Sequence, residues 1–207
     1  MKKFILVLSC ILIFSSLTKA ASSVASSQPN IVFIFSDDHA TQALSAYGHE
    51  ISKIAQTPHI DNVATQGIRF DRCLVGNSIC GPSRATILTG TYSHINKFYS
   101  NERTAFDGSQ PTFPKILQAN NYQTALIGKW HLASDPTGFD HWEILPGQGS
   151  YYNPDFVTPN GTHREEGYVS ELVTKKALTW LEHQRNENQP FLLMVQHKAP
   201  HRDWSPA

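Results

Sequence analysis

Residues 30–39 read Asn30-Ile31-Val32-Phe33-Ile34-Phe35-Ser36-Asp37-Asp38-His39, an apolar run that ends in two carboxylates. Its apolar residues are β-branched or aromatic, the types enriched in strands. Because the run is continuous and does not alternate with polar residues, it predicts a strand buried on both faces, as in a parallel sheet. Asp37 and Asp38 would then lie just beyond the carboxyl end of that strand.

Two later runs have the same character and predict two more buried strands, at Tyr122–Gly128 and Phe191–Val195. Proline near the start of the intervening segments, and glycine after two of them, predict helices. The predicted helices run from Pro58 to Gly67, from Pro82 to Gly90, from Pro114 to Asn120 and, by apolar spacing, over residues 169–181. Residues 134–162 are rich in glycine, proline and aromatic side chains, and they predict a long ordered loop.

Strands that alternate with helices predict an α/β fold with a mainly parallel sheet flanked by helices. Ligands of open α/β sheets bind beyond the carboxyl ends of the strands. Asp37 and Asp38 follow the first predicted strand, Lys129 and His131 follow the second, and His201 follows the third. The sequence therefore predicts that these five side chains converge on one site.

The amino terminus predicts export. Lys2 and Lys3 precede an apolar run over residues 4–14, and small and polar residues follow as far as Ala20. This order is typical of a secretory signal peptide, and a buried amino-terminal helix is the alternative. The run is shorter than the roughly 20 residues that a membrane span needs. We therefore expect residues 1–20 to be a signal peptide, residues 21–29 a polar lead-in, and the protein to be periplasmic or extracellular, without a stable membrane span.

Bulk composition limits the classes of function. A hydrophobic content of 40% and a charged content of 16% are typical of a globular protein. The chain has 17 basic and 17 acidic residues, and removal of residues 1–20 takes away three lysines and no acids, so a net charge of about −3 remains. No nucleic-acid partner is expected, because such a partner needs a basic face. Cys73 and Cys80 would remain, and a disulfide between them is the alternative to a reactive cysteine.

The segment Cys80-Gly81-Pro82-Ser83-Arg84, followed by Leu88-Thr89-Gly90, carries the most specific signal in the chain. It resembles the C-x-P-S-R signature and L-T-G tail of the sulfatase family, whose fold is alkaline-phosphatase-like. In that family a formylglycine-generating or sulfatase-maturating enzyme converts the cysteine to formylglycine, an aldehyde. One hydroxyl of the aldehyde hydrate attacks sulfur, and the second expels sulfate as the carbonyl re-forms. The resemblance implies that Cys80 is the precursor of the nucleophile.

The resemblance also implies catalytic and binding roles for residues near the strand ends. Gly128-Lys129-Trp130-His131-Leu132 is similar to the G-K-W-H-L segment of the family, in which the lysine contacts the sulfate and the histidine supports the formylglycine hydrate. Arg84, one turn inside its helix, would reach back to the same place. His201 matches the family histidine that lies beside the sulfate and assists departure of the sugar oxygen.

Asp37 and Asp38 predict a metal site. Two adjacent carboxylates repel each other unless a cation binds between them. Oxygen ligands suit a hard ion, so Ca²⁺ is expected, with Mg²⁺ as the alternative. By resemblance to the family, residue 80 would be a third ligand. For an isolated pair, a helix cap beside a solvated carboxylate would be the simpler interpretation.

Further stretches are similar to sulfatases that remove the 6-sulfate of N-acetylglucosamine, which implies a sulfated carbohydrate as substrate. These stretches are residues 36–40, 47–50, 135–140, 146–149 and 197–202. The resemblance covers residues 30–207, which would be the amino-terminal part of a sulfatase catalytic domain. Phosphodiesterases and phosphonate hydrolases of the same superfamily are the alternative enzymes.

The resemblance further implies that the catalytic domain continues beyond Ala207, with more metal ligands and a second sulfate-binding lysine. The 207-residue product alone is then expected to be catalytically silent and to bind its metal weakly. Its sheet is expected to have an unprotected edge, with Val32, Ile34, Leu126 and Leu193 exposing apolar surface.

Overall fold

The computed structural model describes residues 28–102 and 104–207. The predicted signal peptide and most of the polar lead-in lie outside the described residues. Across the described ranges, no helix has the length and apolarity that crossing a membrane requires. The strands are β1 Ile31–Phe35, β2 Gln123–Lys129, β3 His141–Leu145, β4 Asp155–Thr158, β5 Gly161–Arg164 and β6 Phe191–Gln196. The α-helices are α1 Pro58–Gln66, α2 Cys80–Thr89, α3 Ser93–Asn96, α4 Phe113–Ala119 and α5 Val169–Thr179.

The strands form one sheet in the order β1-β6-β2-β3-β4-β5. The pairs β1–β6, β6–β2 and β2–β3 are parallel, whereas β3–β4 and β4–β5 are antiparallel. The predicted α/β fold with a mainly parallel sheet and flanking helices is confirmed. Parallel strands place their carboxyl ends at the same edge, so the segments after β1, β2 and β6 meet there.

The core lies on both sides of β2 and β6, the two central strands. Alternate residues along these strands point to opposite faces of the sheet. Ala125 and Ile127 of β2 pack with Val173 of α5 on one face. On the other face, Leu126 packs with Leu88 of α2. Because every residue of β6 is buried, a continuous apolar run was the correct signal for this strand.

The first strand differs from its prediction. β1 is an edge strand whose exposure alternates, with Val32 50% and Ile34 70% exposed, so the prediction of burial on both faces is wrong for the described chain. No described element covers that face. The expected exposure of Val32 and Ile34 is confirmed, whereas the expected exposure of Leu126 and Leu193 is wrong because neighbouring strands and helices bury both.

Residues 134–162 are not the long loop that their composition predicted. They contain β3, β4 and the first residues of β5. β3 pairs in parallel with β2, starting with Ala125 opposite His141. These strands are short and mix polar with apolar residues, so partner strands rather than periodicity hold them in place. Helix boundaries also differ. α2 begins at Cys80 rather than Pro82, and α4 begins and ends one residue earlier than predicted. α5 passes into a π-helical turn at Trp180–Gln184.

Candidate active site

Cys80 is the first residue of α2, so its side chain lies at the positive end of the helix dipole. The Gly81 N–H donates to Asn101 Oδ1 at 2.8 Å. A Cβ on Gly81 would lie 2.6 Å from the Phe98 ring and 3.0 Å from the His131 carbonyl oxygen. A glycine is therefore required here, because it lets the start of α2 approach the segment that follows β2.

Asp37 is buried at the carboxyl end of β1 and faces two cations. Lys129 Nζ, at the end of β2, donates to Asp37 Oδ2, and Arg84 Nη2 lies 3.8 Å from the same oxygen. Lys129 Nζ also donates to Gln148 Oε1 and lies 4.0 Å from Cys80 Sγ. Three segments that are distant in sequence thus place a carboxylate, an ammonium and the cysteine in mutual contact.

Arg84 is buried one turn inside α2, and its guanidinium crosses to the ends of β2 and β6. Its Nη1 donates to the Lys129 carbonyl oxygen at 2.6 Å and to Gln196 Oε1. The guanidinium also lies over the Phe35 ring, 5.1 Å from its centroid. Nε and Nη2 have no hydrogen-bond partner among the described residues. Arg84 therefore has unused donors at the site, and unused buried donors are costly unless a ligand accepts from them.

His201 lies on the other side of Asp37. It is buried, and its Nε2 lies 3.8 Å from Asp38 Oδ2, while the hydroxyl of Tyr151 donates to the His201 carbonyl oxygen. Ligand atoms of Asp37, Cys80 and His201 all lie within 4.8 Å of one another. Asp38 is more exposed and has φ 61°, a left-handed backbone that turns the chain directly after Asp37.

His131 and Cys80 are both held in their neutral forms. Burial, followed by the positive charges of Lys129 and Arg84, lowers the pKa of His131 to about 4. Burial also raises the pKa of the Cys80 thiol, against the opposing charge of Lys129. An unmodified Cys80 would therefore be a protonated thiol at neutral pH. Since the thiolate is the reactive form of cysteine, this environment does not activate sulfur as a nucleophile.

A cavity of about 120 Å³ opens between the end of β1 and the start of α2. Its wall carries polar and charged groups as well as apolar ones, and it includes Asp37, Asp38, Cys80, Ser83 and Arg84. Two larger depressions, of about 400 and 580 Å³, are lined by other residues. The small cavity can receive one compact oxyanion.

All seven residues singled out from the sequence as site residues are present at this edge of the sheet. They are Asp37, Asp38, Cys80, Arg84, Lys129, His131 and His201. Sequence reasoning missed two partners, the exposed Gln148 and the buried Gln196, which accept from Lys129 and Arg84. Gln196 ends an otherwise apolar strand, and that polar ending could have identified it. Gln148 lies in the 146–149 stretch noted for its resemblance, but its contact with Lys129 depends on the folded loop.

Comparison with known proteins agrees with this geometry. Residues 29–207 match the family model described as Sulfatase. The chain is 53% identical over 183 residues to an N-acetylglucosamine-6-O-sulfatase of Bacteroides thetaiotaomicron, covering 87% of this chain and 32% of that protein. It is 36% identical over 162 residues to human steryl-sulfatase, covering 72% and 27% respectively.

A solved structure of BT4656 in complex with its substrate D-glucosamine-2-N,6-O-disulfate superimposes with a TM-score of 0.83 at 52% identity. The superposition covers 87% of this chain and 36% of that one. The chain thus spans about a third of the length of these relatives.

Proposed function

The chain belongs to the sulfatase family, and from that premise we propose that the full-length protein is a sulfuric ester hydrolase acting on the 6-O-sulfate of N-acetylglucosamine in a glycan. One observation carries the proposal. The start of α2 places Cys80 in a small cavity beside a buried carboxylate and two buried cations, Lys129 and Arg84. The 53% identity to an N-acetylglucosamine-6-O-sulfatase supports the choice of sugar.

The nucleophile in this proposal is residue 80 after conversion of Cys80 to formylglycine by a formylglycine-generating or sulfatase-maturating enzyme. The hydrated aldehyde supplies one hydroxyl to attack sulfur and a second whose deprotonation releases sulfate. The raised pKa of the unmodified thiol supports this assignment, because burial keeps sulfur in its less reactive form.

Asp37, Asp38 and the residue-80 oxygen would hold Ca²⁺, or Mg²⁺ in its place. The donor set fits such a hard ion, because both carboxylates offer oxygen and Asp37 is buried at the cavity wall. When bound, the ion would neutralise negative charge on the sulfate oxygens. Lys129 donates to one oxygen of Asp37, and the second oxygen would be the one that binds the ion.

Lys129 and Arg84 would orient the sulfate. The Lys129 ammonium is already 4.0 Å from the residue-80 side chain, so an oxygen of a sulfate bound there is within its reach. Preorganised donors of this kind stabilise charge that develops in the transition state without reorganising. Arg84 adds its unpartnered Nε and Nη2 donors from the helix side.

The two histidines would divide the proton chemistry. His131, with a pKa of about 4, is neutral at pH 7 and can accept a hydrogen bond from the hydrate. His201 would donate a proton to the sugar oxygen as the sulfur–oxygen bond breaks. Imidazole is the side chain that most often serves as a general acid or base in enzymes.

We also propose that the protein acts in the periplasm or outside the cell, on the strength of the signal-peptide pattern in residues 1–20. An exported sulfatase would meet sulfated glycans directly. Fractionation of cells that express the full-length protein, followed by amino-terminal sequencing, tests this point. A cytoplasmic protein that retains Met1 would contradict it.

A panel of defined esters tests the proposed activity. The full-length protein, produced with a maturation enzyme, should release sulfate from 6-sulfated N-acetylglucosamine and from D-glucosamine-2-N,6-O-disulfate, but not from 2-sulfated uronic acids. If the protein preferred a phosphodiester or a phosphonate, it would instead be a phosphodiesterase or phosphonate hydrolase of the same superfamily. Absence of turnover with every ester, despite a modified residue 80, would indicate a binding protein.

A further inference from the structure

Lys198 is a buried cation without a counter-charge at the edge of the active-site cluster. It is 5% exposed and lies in the segment that joins β6 to His201. Throughout the part of the chain that the structure describes, it forms no ion pair and its side chain makes no hydrogen bond. Its ammonium instead lies over the Tyr151 ring, 4.6 Å from the centroid. Most of the side chain is thus buried, but Nζ keeps some solvent exposure and is accessible to a ligand.

The other two cations of the cluster are already engaged. Lys129 donates to Asp37 and Gln148, and Arg84 donates to Gln196 and a backbone carbonyl. Lys198 is the exception among the three. Its charged group is therefore the one of the three that donates to no acceptor at all in the described chain, and an anionic ligand would supply an acceptor.

The backbone holds Lys198 beside His201. The His201 N–H donates to the Lys198 carbonyl oxygen at 3.1 Å, and the Tyr151 hydroxyl donates to the His201 carbonyl oxygen. Tyr151 thus contacts both residues, one through its ring and the other through its hydroxyl. Burial lowers the pKa of Lys198, and the nearby positive charge of Lys129 lowers it further, whereas Asp37 and Cys80 oppose this change. Lys198 therefore shares the electrostatic environment of the site.

We propose that Lys198 binds a sulfate group of the substrate and so contributes to its recognition. The inference rests on the proposed function for the identity of the ligand. A sulfate group suits a lysine because a compact ammonium can approach any of its oxygens, and Tyr151 would keep the ammonium in place when no sugar is bound. The sulfate is either the 6-O-sulfate being cleaved or a second sulfate on the same sugar.

The test compares Lys198→Met with Lys198→Arg in the full-length protein. Methionine keeps the apolar stem and removes the charge, whereas arginine keeps the charge. Lys175→Met is the matched control, because Lys175 is an exposed lysine on α5. A charged hydrogen bond is worth a roughly 10- to 100-fold change in affinity. We expect kcat/KM to fall by this factor in Lys198→Met, mainly through a higher KM. Lys198→Arg should recover much of the lost activity, and Lys175→Met should keep wild-type kcat/KM.

The two sources of sulfate are distinguished by using two sugars. Equal losses on 6-sulfated N-acetylglucosamine and on D-glucosamine-2-N,6-O-disulfate identify the scissile sulfate as the ligand. A loss confined to the disulfate identifies the second sulfate. Unchanged kcat/KM for both sugars, with wild-type protein active, would overturn the inference and leave the proposed function intact.

A binding measurement keeps the inference testable if the protein proves inactive. Calorimetry of D-glucosamine-2-N,6-O-disulfate with the Cys80→Ala protein needs no turnover. Adding Lys198→Met to that protein should weaken binding by the same roughly 10- to 100-fold. Equal affinity in the single and double variants, or no binding in either, would overturn the inference whatever the catalytic result. Thermal unfolding of each variant checks that loss of binding is not loss of fold.

Discussion

Replacing Lys129 with methionine removes a buried cation and retains much of the apolar stem. Lys129 is fully buried, and the substitution leaves Asp37 buried with only Arg84, 3.8 Å away, as an opposite charge. Breaking a buried ion pair by removing one partner costs about 3–5 kcal/mol. Because Arg84 still compensates part of the charge, we expect a loss near the lower end, about 3 kcal/mol.

Urea unfolding of the full-length protein in the presence of a chelator measures this loss. Lys53→Met is the matched control, because Lys53 forms an ion pair with Glu50 at 2.7 Å on the exposed surface, where such pairs add little. The double variant Lys129→Met with Asp37→Asn removes both buried charges. It should recover part of the stability, because the unpaired carboxylate is gone while the buried Arg84 loses the nearby charge of Asp37.

The same Lys129 variant should lose roughly 10²–10³ in kcat, the usual cost of one preorganised electrostatic donor. If the free energy of unfolding fell by no more than about 1 kcal/mol, the loss would be too small for a broken buried ion pair. That result would refute the energetic argument. A double variant no more stable than the single one would also refute it. Wild-type turnover would show that Lys129 has only a structural role, even if the stability result stands.

Two further predictions address the proton chemistry and the pH dependence of folding. His201→Ala should reduce kcat on sugar sulfates by roughly 10²–10⁴ but much less on an aryl sulfate, whose leaving group needs no proton, and equal losses on both would contradict the role as acid. The contact with His141, whose Nε2 lies 3.4 Å from Glu143 Oε1, and the hydrogen bond from Lys176 lower the pKa of Glu143 from 4.5 to about 2. Its ionised form therefore stabilises the fold above pH 4.5, and this contribution is lost as the pH falls towards 2. Glu143→Gln should therefore show a shallower loss of stability between pH 4.5 and 2 in urea titrations, and parallel wild-type and variant curves would contradict the assignment.

The fold class is confirmed, and the structure brings the candidate site residues to one edge of the sheet, whereas their chemical roles stay predictions. Asp37, Lys129 and His201 each follow a strand of a parallel sheet, and this topology brings their segments to one edge whatever the loops between them do. Cys80 and Arg84 are four residues apart on one helix, so both point from the same helix face. These placements depend on local sequence and on topology, and both can be predicted from a single sequence.

Other features depend on contacts that periodicity does not encode. The apolar run of β1 indicated burial on two faces, but an edge position leaves Val32 and Ile34 exposed in the described chain. β3 and β4 are short and gain their order from pairing with β2 and with each other, so composition alone made them resemble a loop. The contact of Gln148 with Lys129 likewise requires the folded loop.

The peptide that spans residue 80 tests the central proposal most directly. Trypsin should release residues 73–84, which contain both Cys73 and Cys80. In active full-length protein treated with an alkylating agent, we predict one alkyl group, on the exposed Cys73, and an aldehyde at residue 80, with sulfur and two hydrogens replaced by one oxygen. A peptide with two alkyl groups, or with a Cys73–Cys80 disulfide, from protein that hydrolyses sulfate esters would contradict the proposed nucleophile.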